Sequence, residues 1–146
     1  MKFFLIIYLV LFLNISFNLF SKKPIQESLL DGQEIYNDFC VQCHLEDGKG
    51  IKGIYPPLAK SDFLKDINQT ISSIKYGLKG PITVNGEKYN SIMVSQGLDD
   101  EEISDVVNYI LNSWGNSTNK LITEEIVTSI KPVSYTHLTL PTNREE

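Results

Sequence analysis

Histidine, cysteine and methionine are all scarce in this 146-residue chain, which holds two of each, one methionine being Met1. Two cysteines cannot build a disulfide framework. Positive charge is also short: 13 Lys and Arg stand against 18 Asp and Glu, a net charge of −5. That excludes the basic footprint of a nucleic-acid binder. The length leaves room for one domain core and not for a second of full size. With 42% hydrophobic and 21% charged residues, most of the chain can fold as a soluble globule.

The longest apolar run is Phe3–Leu13, eleven residues behind Lys2. It suits the h-region of a secretory signal and falls short of the roughly 20 residues that span a bilayer. No A-x-A cleavage pattern follows, and Ser16 and Ser21 are the best small residues. Residues 1–21 are therefore a signal peptide or an uncleaved anchor reaching Phe20, and either one exports the rest of the chain. No cysteine follows the run, which argues against a lipidated N-terminus. At the other end, Val133–Glu146 matches nothing before it in style. Tyr135–Leu140 alternates like a lone strand, and a lone strand is not stable. This segment resembles a translated sequencing-adaptor tail and is read as non-native, which leaves His44 as the histidine on which chemistry can rest.

Between these ends, spacing predicts helices over Ser28–Cys40, Asp66–Tyr76, Asp99–Trp114 and, more briefly, Glu124–Ile130. Gly32 weakens the first helix unless another helix approaches closely on its face. Asp99 and Glu102 have the form of a capping box, and acids at 99–102 sit where the helix dipole favours them. Asn85–Gly86 reads as a two-residue hairpin turn within Val84–Tyr89. Gly48-Lys-Gly50-Ile-Lys-Gly53 satisfies G-x-G-x-x-G, but that fingerprint needs a strand before it and a helix after it. Pro56–Pro57 forbids helix there.

Cys40-Val-Gln-Cys43-His44 is a C-x-x-C-H motif, which in an exported protein reads as covalent haem attachment. Two thiols one turn apart can each add to a haem vinyl group, and the next residue's imidazole then faces the iron from the same side. Other readings fit less well. A structural disulfide across C-x-x-C is possible. A thioredoxin-like pair would follow a strand, whereas this motif follows a helix. Zinc needs a fourth ligand that the sequence does not offer. A six-coordinate haem needs a second axial ligand, and Met93, 49 residues after His44, is the only internal methionine. Flanked by Ile92 and Val94, it also suits a gap-filling core role. A histidine–thioether pair raises the potential and leaves no open position for substrate, which favours electron transfer over oxygen chemistry.

With these residues in place, the chain resembles a class I, single-haem c-type cytochrome over roughly Glu27–Asn116. It is similar to the bacterial branch containing haem domains of oxidase third subunits and cytochrome subunits of periplasmic dehydrogenases. Tyr55-Pro-Pro-Leu-Ala59, Gly86-Glu-Lys-Tyr-Asn90 and Asn112-Ser-Trp-Gly-Asn116 carry the closer likeness. The resemblance implies an all-α cytochrome c fold, with about three core helices around one covalently attached haem c. It makes Cys40 and Cys43 the attachment sites, His44 the proximal ligand and Met93 the distal one. The Pro56 carbonyl would accept from the other imidazole nitrogen, and Gly32 and Tyr36 would pack on Tyr109. Proline usually follows the distal methionine in this branch. Val94 stands there instead, which predicts a looser loop.

The expected domains are a cytochrome domain at 27–116, an extension at 117–132 with a short helix, and the tail at 133–146. Residues 27–116 hold seven lysines and fourteen acids, five of them clustered at Asp99–Asp105. Lys49, Lys52 and Lys60 follow the motif and are expected to steer a redox partner. The implied function is a single-electron carrier of bacterial respiration in the periplasm or on the outer face of the inner membrane. It is not an enzyme, and it meets a membrane only if its N-terminal segment stays uncleaved. The alternative is an electron-transfer subunit of a periplasmic dehydrogenase, reductase or oxidase complex. A third class, a gas sensor or peroxidase, requires Met93 to be displaceable.

Overall fold

The computed structural model describes residues 2–19 and 23–132. The tail at 133–146, with His137, lies outside the described residues. Helix α1 covers Lys2–Leu19, and its side chains at 3–12 are exposed. No helix among the described residues is long and apolar enough to cross a membrane.

The remaining elements are α2 (Ile25–Phe39), the single turn α3 (Val41–His44), a 3-10 turn at Asp62–Lys65, α4 (Ile67–Tyr76), β1 (Ile82–Val84), β2 (Glu87–Tyr89), α5 (Asp100–Asn112) and α6 (Glu124–Ser129). The strands form one antiparallel pair joined by Asn85–Gly86, both at positive φ as a two-residue turn of this type requires. Asp66 caps α4 by accepting from the Gln69 N–H. The Asp99–Glu102 capping box is formed in full. Among the described residues Gly53 is followed by a turn and not by a helix, so the glycine-rich stretch is no nucleotide fingerprint.

Two helices differ from expectation at their ends, for physical reasons. Helix α2 starts three residues early, after Pro24 in extended conformation. Ser28, the expected first residue, lies within the helix, where its hydroxyl donates inward to Asp105 (2.6 Å) and accepts from Asn108 Nδ2 (2.9 Å). Helix α5 stops at Asn112, because Ser113 turns extended and Trp114 adopts φ +52. That turn carries Trp114 out of the helix's apolar stripe and onto the loop after His44.

The core forms where α2 crosses α5, backed by α4 and α6. Ile71, Ile103, Val106, Val107, Ile122 and Val127 are almost fully buried. The crossing is close because Gly32 has no side chain: a Cβ there would lie 2.1 Å from Asp105 O and 2.9 Å from Tyr109 Cβ. Tyr36 and Tyr109 meet across it with ring centroids 5.6 Å apart. The segment after Asn116 joins the same core, since Asn108 exchanges two hydrogen bonds with the backbone of Ile122 (2.8 and 2.9 Å).

Asp105 is buried at this crossing and its charge is met by Lys23, 2.6 Å away. Burial opposes the Lys23 charge, but the hydrogen bonds it donates to Asp105, Asp31 and Glu101 outweigh it and push its pKa up. The ammonium therefore stays charged throughout the neutral range.

Gly32→Ala should test the crossing. Overpacking of this kind costs roughly 1–3 kcal/mol, and a backbone carbonyl in the way leaves little room for relief. Denaturant unfolding of the haem-loaded variant should show a clear loss of stability. An unchanged midpoint would mean that the helices can separate without cost.

Candidate functional site

Helix α2 ends at Phe39, Cys40 caps the turn α3, and Cys43 and His44 fall on that turn. His44 N–H donates to Cys40 O at 2.9 Å, so the three residues stack on one side of that turn. Cys40 and His44 are buried and Cys43 is half-buried. Burial, and next the neighbouring Cys43, push the Cys40 thiol up to about 11. No group of three or more metal-binding side chains occurs among the described residues.

After Leu45, at φ +63, the chain reverses, and the following loop is pinned from three sides. Tyr36 OH donates to Leu45 O (2.6 Å), and Trp114 Nε1 donates to Glu46 O (2.9 Å). The N–H groups of Leu58 and Ala59 both reach Gly48 O (2.7 and 2.8 Å), and Gly50 N–H donates to His44 O (2.9 Å). Gly50 is required by space: a Cβ there would lie 2.3 Å from Tyr55 O and 2.7 Å from Pro56 O. These constraints leave Pro56 O 3.0 Å from His44 Nδ1. A proton on Nδ1 shared with that carbonyl leaves Nε2 as the free lone pair. Burial lowers the His44 pKa more than the carbonyl raises it. The ring is therefore held neutral, the form that binds a metal.

Met93 approaches from a different element. Its N–H and C=O both pair with Leu78 (2.9 and 2.7 Å) in an isolated bridge. Gly77 permits this, since a Cβ at Gly77 would lie 2.8 Å from Met93 O. Ser95 Oγ donates to Lys75 O and Ser91 Oγ to Ile54 O (2.7 Å), so one side of Met93 is tied to the end of α4 and the other to the loop after His44. Val94 stands where a proline would have restricted the loop. Val94 is exposed, and the backbone bridge does the fixing instead.

Cys40, His44, Pro56, Leu78, Ile82 and Met93 line both lobes of a single cleft. The empty space within the two lobes, counted out to the open mouth, is about 580 Å³ and 730 Å³. The outer lobe opens between Phe39, Cys43, Ile92 and Val94. The inner lobe is lined by Leu58, Leu64, Ile74, Val84 and Ile110, together with Ser61, Thr70 and Ser73. A narrow apolar slot with a thiol pair at its mouth, a neutral imidazole and a thioether on its lining fits a flat, mostly apolar macrocycle with iron at its centre. Ser61 adds a second indication. Its buried hydroxyl has no partner among the described residues, a state that costs about 1–3 kcal/mol unless a bound group relieves it.

Three contributors escape sequence reasoning. Trp114 reads as the last residue of an apolar helix stripe, yet it covers Gly48, where a Cβ would lie 2.6 Å from its ring. Gly77 reads only as a helix stop. Ser61 reads as a turn cap, and nothing in its neighbours signals that it faces a cleft. Of the lysines expected to steer a partner, Lys49 pairs with Asp47 (2.6 Å) and Lys52 lies 3.6 Å from Glu87, both side chains staying exposed.

Trp114→Phe keeps an aromatic ring over Gly48 but loses the bond to Glu46 O. A stability loss of about 1 kcal/mol is expected from that one bond, together with faster amide exchange over residues 45–50. Exchange unaltered in that loop would show that Trp114 acts only by packing.

The cytochrome c family model matches residues 29–114. Cytochrome c-552 of Thermus thermophilus is 42% identical over 93 residues, covering 60% of this chain and 70% of the relative. The cytochrome c subunit of the quinone alcohol dehydrogenase of Gluconacetobacter polyoxogenes is 30% identical over 105 residues, covering 68% of this chain and 22% of that subunit. The fructose dehydrogenase cytochrome subunit of Gluconobacter japonicus is 35% identical over 94 residues, covering 60% of this chain and 19% of that subunit. The thiol pair, the neutral imidazole and the apolar slot thus occur in a chain that belongs to the cytochrome c family, whose members carry covalently attached haem c and transfer electrons without catalysing a reaction of their own.

Proposed function

We propose that this chain carries single electrons on one haem c, bound through Cys40 and Cys43 and ligated by His44 and Met93, in the respiratory chain of a bacterial cell envelope. Bound haem supplies the one-electron couple. The chain's own residues supply the rest. Cys40 and Cys43 anchor the group, and Pro56 O orients His44 and holds its proton on Nδ1. The Leu78 bridge presents Met93, and the inner lobe's aliphatic side chains keep water away. A dry, neutral setting with a thioether ligand favours the reduced state. The observation that carries this reading is the joint presence of His44 and Met93 on one apolar cleft, each fixed through backbone hydrogen bonds.

Export to the periplasm or the outer membrane face is the localisation that fits the apolar N-terminal run and covalent haem. The partner is another redox protein, a dehydrogenase, reductase or oxidase. The dehydrogenase subunits among the relatives favour a second reading, in which this domain is itself a subunit of such a complex. A partner that persists through purification would select it.

Met93→Ala should open an iron position. The ferric parent should show the weak near-infrared band of a methionine–iron bond, and its ferrous form should not bind carbon monoxide at neutral pH. The variant should lose the band, bind carbon monoxide and have a lower midpoint potential. Rapid carbon monoxide binding by the parent would instead favour a gas sensor or peroxidase.

Docking is proposed to rest on the apolar rim of the outer lobe and not on lysine steering. Ile92 and Val94 are 63% and 65% exposed there, while Lys49 and Lys52 have carboxylates of their own. Ile92→Asp with Val94→Asp should slow reduction by a purified donor protein at every ionic strength. Lys49→Glu with Lys52→Glu should change that rate little. A steep salt dependence in the parent, abolished by the lysine changes, would reverse this assignment.

A further inference from the structure

Ser61 is the one described residue whose buried side-chain oxygen lacks a hydrogen-bond partner. It is 8% exposed and lines the inner lobe of the cleft. Its place in the chain makes the missing partner informative. Ser61 stands at the N-cap of the 3-10 turn Asp62–Lys65, where a serine hydroxyl ordinarily accepts from an N–H two or three residues on. No such cap bond forms. The backbone on both sides is fixed from outside instead. Lys60 N–H donates to Asn116 Oδ1 (2.8 Å), and Asn85 Nδ2 donates to Lys60 O (3.3 Å). Asp62 and Asn85 exchange reciprocal backbone-to-side-chain bonds of 2.9 and 2.7 Å. Four bonds, from the β-hairpin and from the segment after α5, bracket this single residue, whose hydroxyl goes to the cleft lining.

The other hydroxyls on the inner lobe are already committed. Thr70 donates to Asp66 O (2.9 Å) and Ser73 to Gln69 O (2.8 Å), each within its own helix. No lysine or arginine lines that lobe. A carboxylate placed against it would have no cation to answer its charge, and a buried carboxylate without donors is strongly disfavoured.

We propose that Ser61 Oγ–H is a donor to a propionate carboxylate of the haem held in this cleft. The inference rests on the haem reading above and goes beyond it by assigning a positioning residue that attachment and ligation do not require. Haem is apolar except for its two propionates, so an uncommitted donor on an otherwise apolar lining matches the polar edge of that group. A hydrogen bond to an ionised oxygen is shorter and stronger than a neutral one, and the pinned backbone of residues 60–62 holds the donor ready. The bond draws negative charge away from the iron. Its loss favours the ferric state and lowers the midpoint potential.

The test uses the haem-loaded protein and the variants Ser61→Ala and Ser61→Thr. Mass is measured first, and one covalently bound haem is expected in all three. A parent without haem overturns the underlying reading and not merely the role of Ser61. In the ferrous parent, proton NMR should show a slowly exchanging Ser61 hydroxyl that cross-relaxes with propionate methylene protons. Ser61→Ala should lower the midpoint potential at fixed pH, and Ser61→Thr should restore both the potential and a hydroxyl signal. A potential unmoved by Ser61→Ala, or a hydroxyl proton in contact only with water or protein, overturns the assignment.

Discussion

The hydrogen bond between His44 Nδ1 and Pro56 O is the constraint around which the rest of the site is arranged. In isolation a bond of this kind contributes only about 1 kcal/mol. Its importance is directional, because it decides which ring nitrogen is free and where that nitrogen lies. Twelve residues separate the two partners, and a flexible loop of that length would not hold a carbonyl in place. Tyr36, Trp114 and the Gly48 carbonyl therefore fasten the loop at Leu45, Glu46, Leu58 and Ala59. Tyr36 comes from α2 and Trp114 follows α5. The closeness of that helix crossing, set by Gly32, thus reaches the imidazole through two side chains whose rings lie 4.9 Å apart. Burial pushes the Tyr36 phenol up, so its hydroxyl keeps its proton and goes on donating.

The two faces of the cleft are built differently. On the His44 side, support comes from the helix crossing and from a loop with several cross-ties. On the Met93 side, it comes from a backbone bridge to Leu78, from Ser95 on the C-terminal end of α4 and from Ser91 on Ile54 O. The side with fewer ties belongs to the residue that ligand exchange would displace. That asymmetry is physical: the region around Met93 has exposed neighbours and few buried contacts, features that go with low local stability. Val94 fits this arrangement. A proline there would have restricted the chain covalently, whereas here Gly77 makes room for the bridge.

The helices, the hairpin turn and the thiol pair were legible in the sequence, because each depends on local rules: apolar spacing, Asn–Gly, an acid three residues before a glutamate, and C-x-x-C-H. The crossing at Gly32 was legible too, since a glycine inside an amphipathic helix calls for a close neighbour. Contributions that depend on where the chain goes next were not. Trp114 completes an apolar stripe on paper, and only the left-handed turn after Ser113 sends it to Gly48. Ser28 stands first in the expected helix, and Ser61 at the N-cap of the 3-10 turn. One is drawn inward by a buried carboxylate and the other is bracketed by Asn85 and Asn116, partners 24 and 55 residues away. Sequence periodicity carries no information about such long-range bonds.

The acids at the start of α5 show how the same composition supports two different roles until partners are known. Five carboxylates between Asp99 and Asp105 suggest either a solvated helix start or an acidic face that a partner reads. In the structure each has an internal use. Asp99 and Glu102 close the capping box. Asp100 bonds to Lys75 and Thr128, which hold its carboxyl below the usual range. Glu101 and Asp105 share Lys23. These bonds join α5 to the residues just before α2, to α4 and to α6. The acids therefore act as fastening at the end of the helix that the crossing depends on, with Lys23 and Lys75 the cations that answer them. The lysines at 49 and 52 have local carboxylates in the same way. With fourteen acids against seven lysines over 27–116 the surface keeps a negative excess, and the exposed apolar rim at Ile92 and Val94 is the face proposed for a partner.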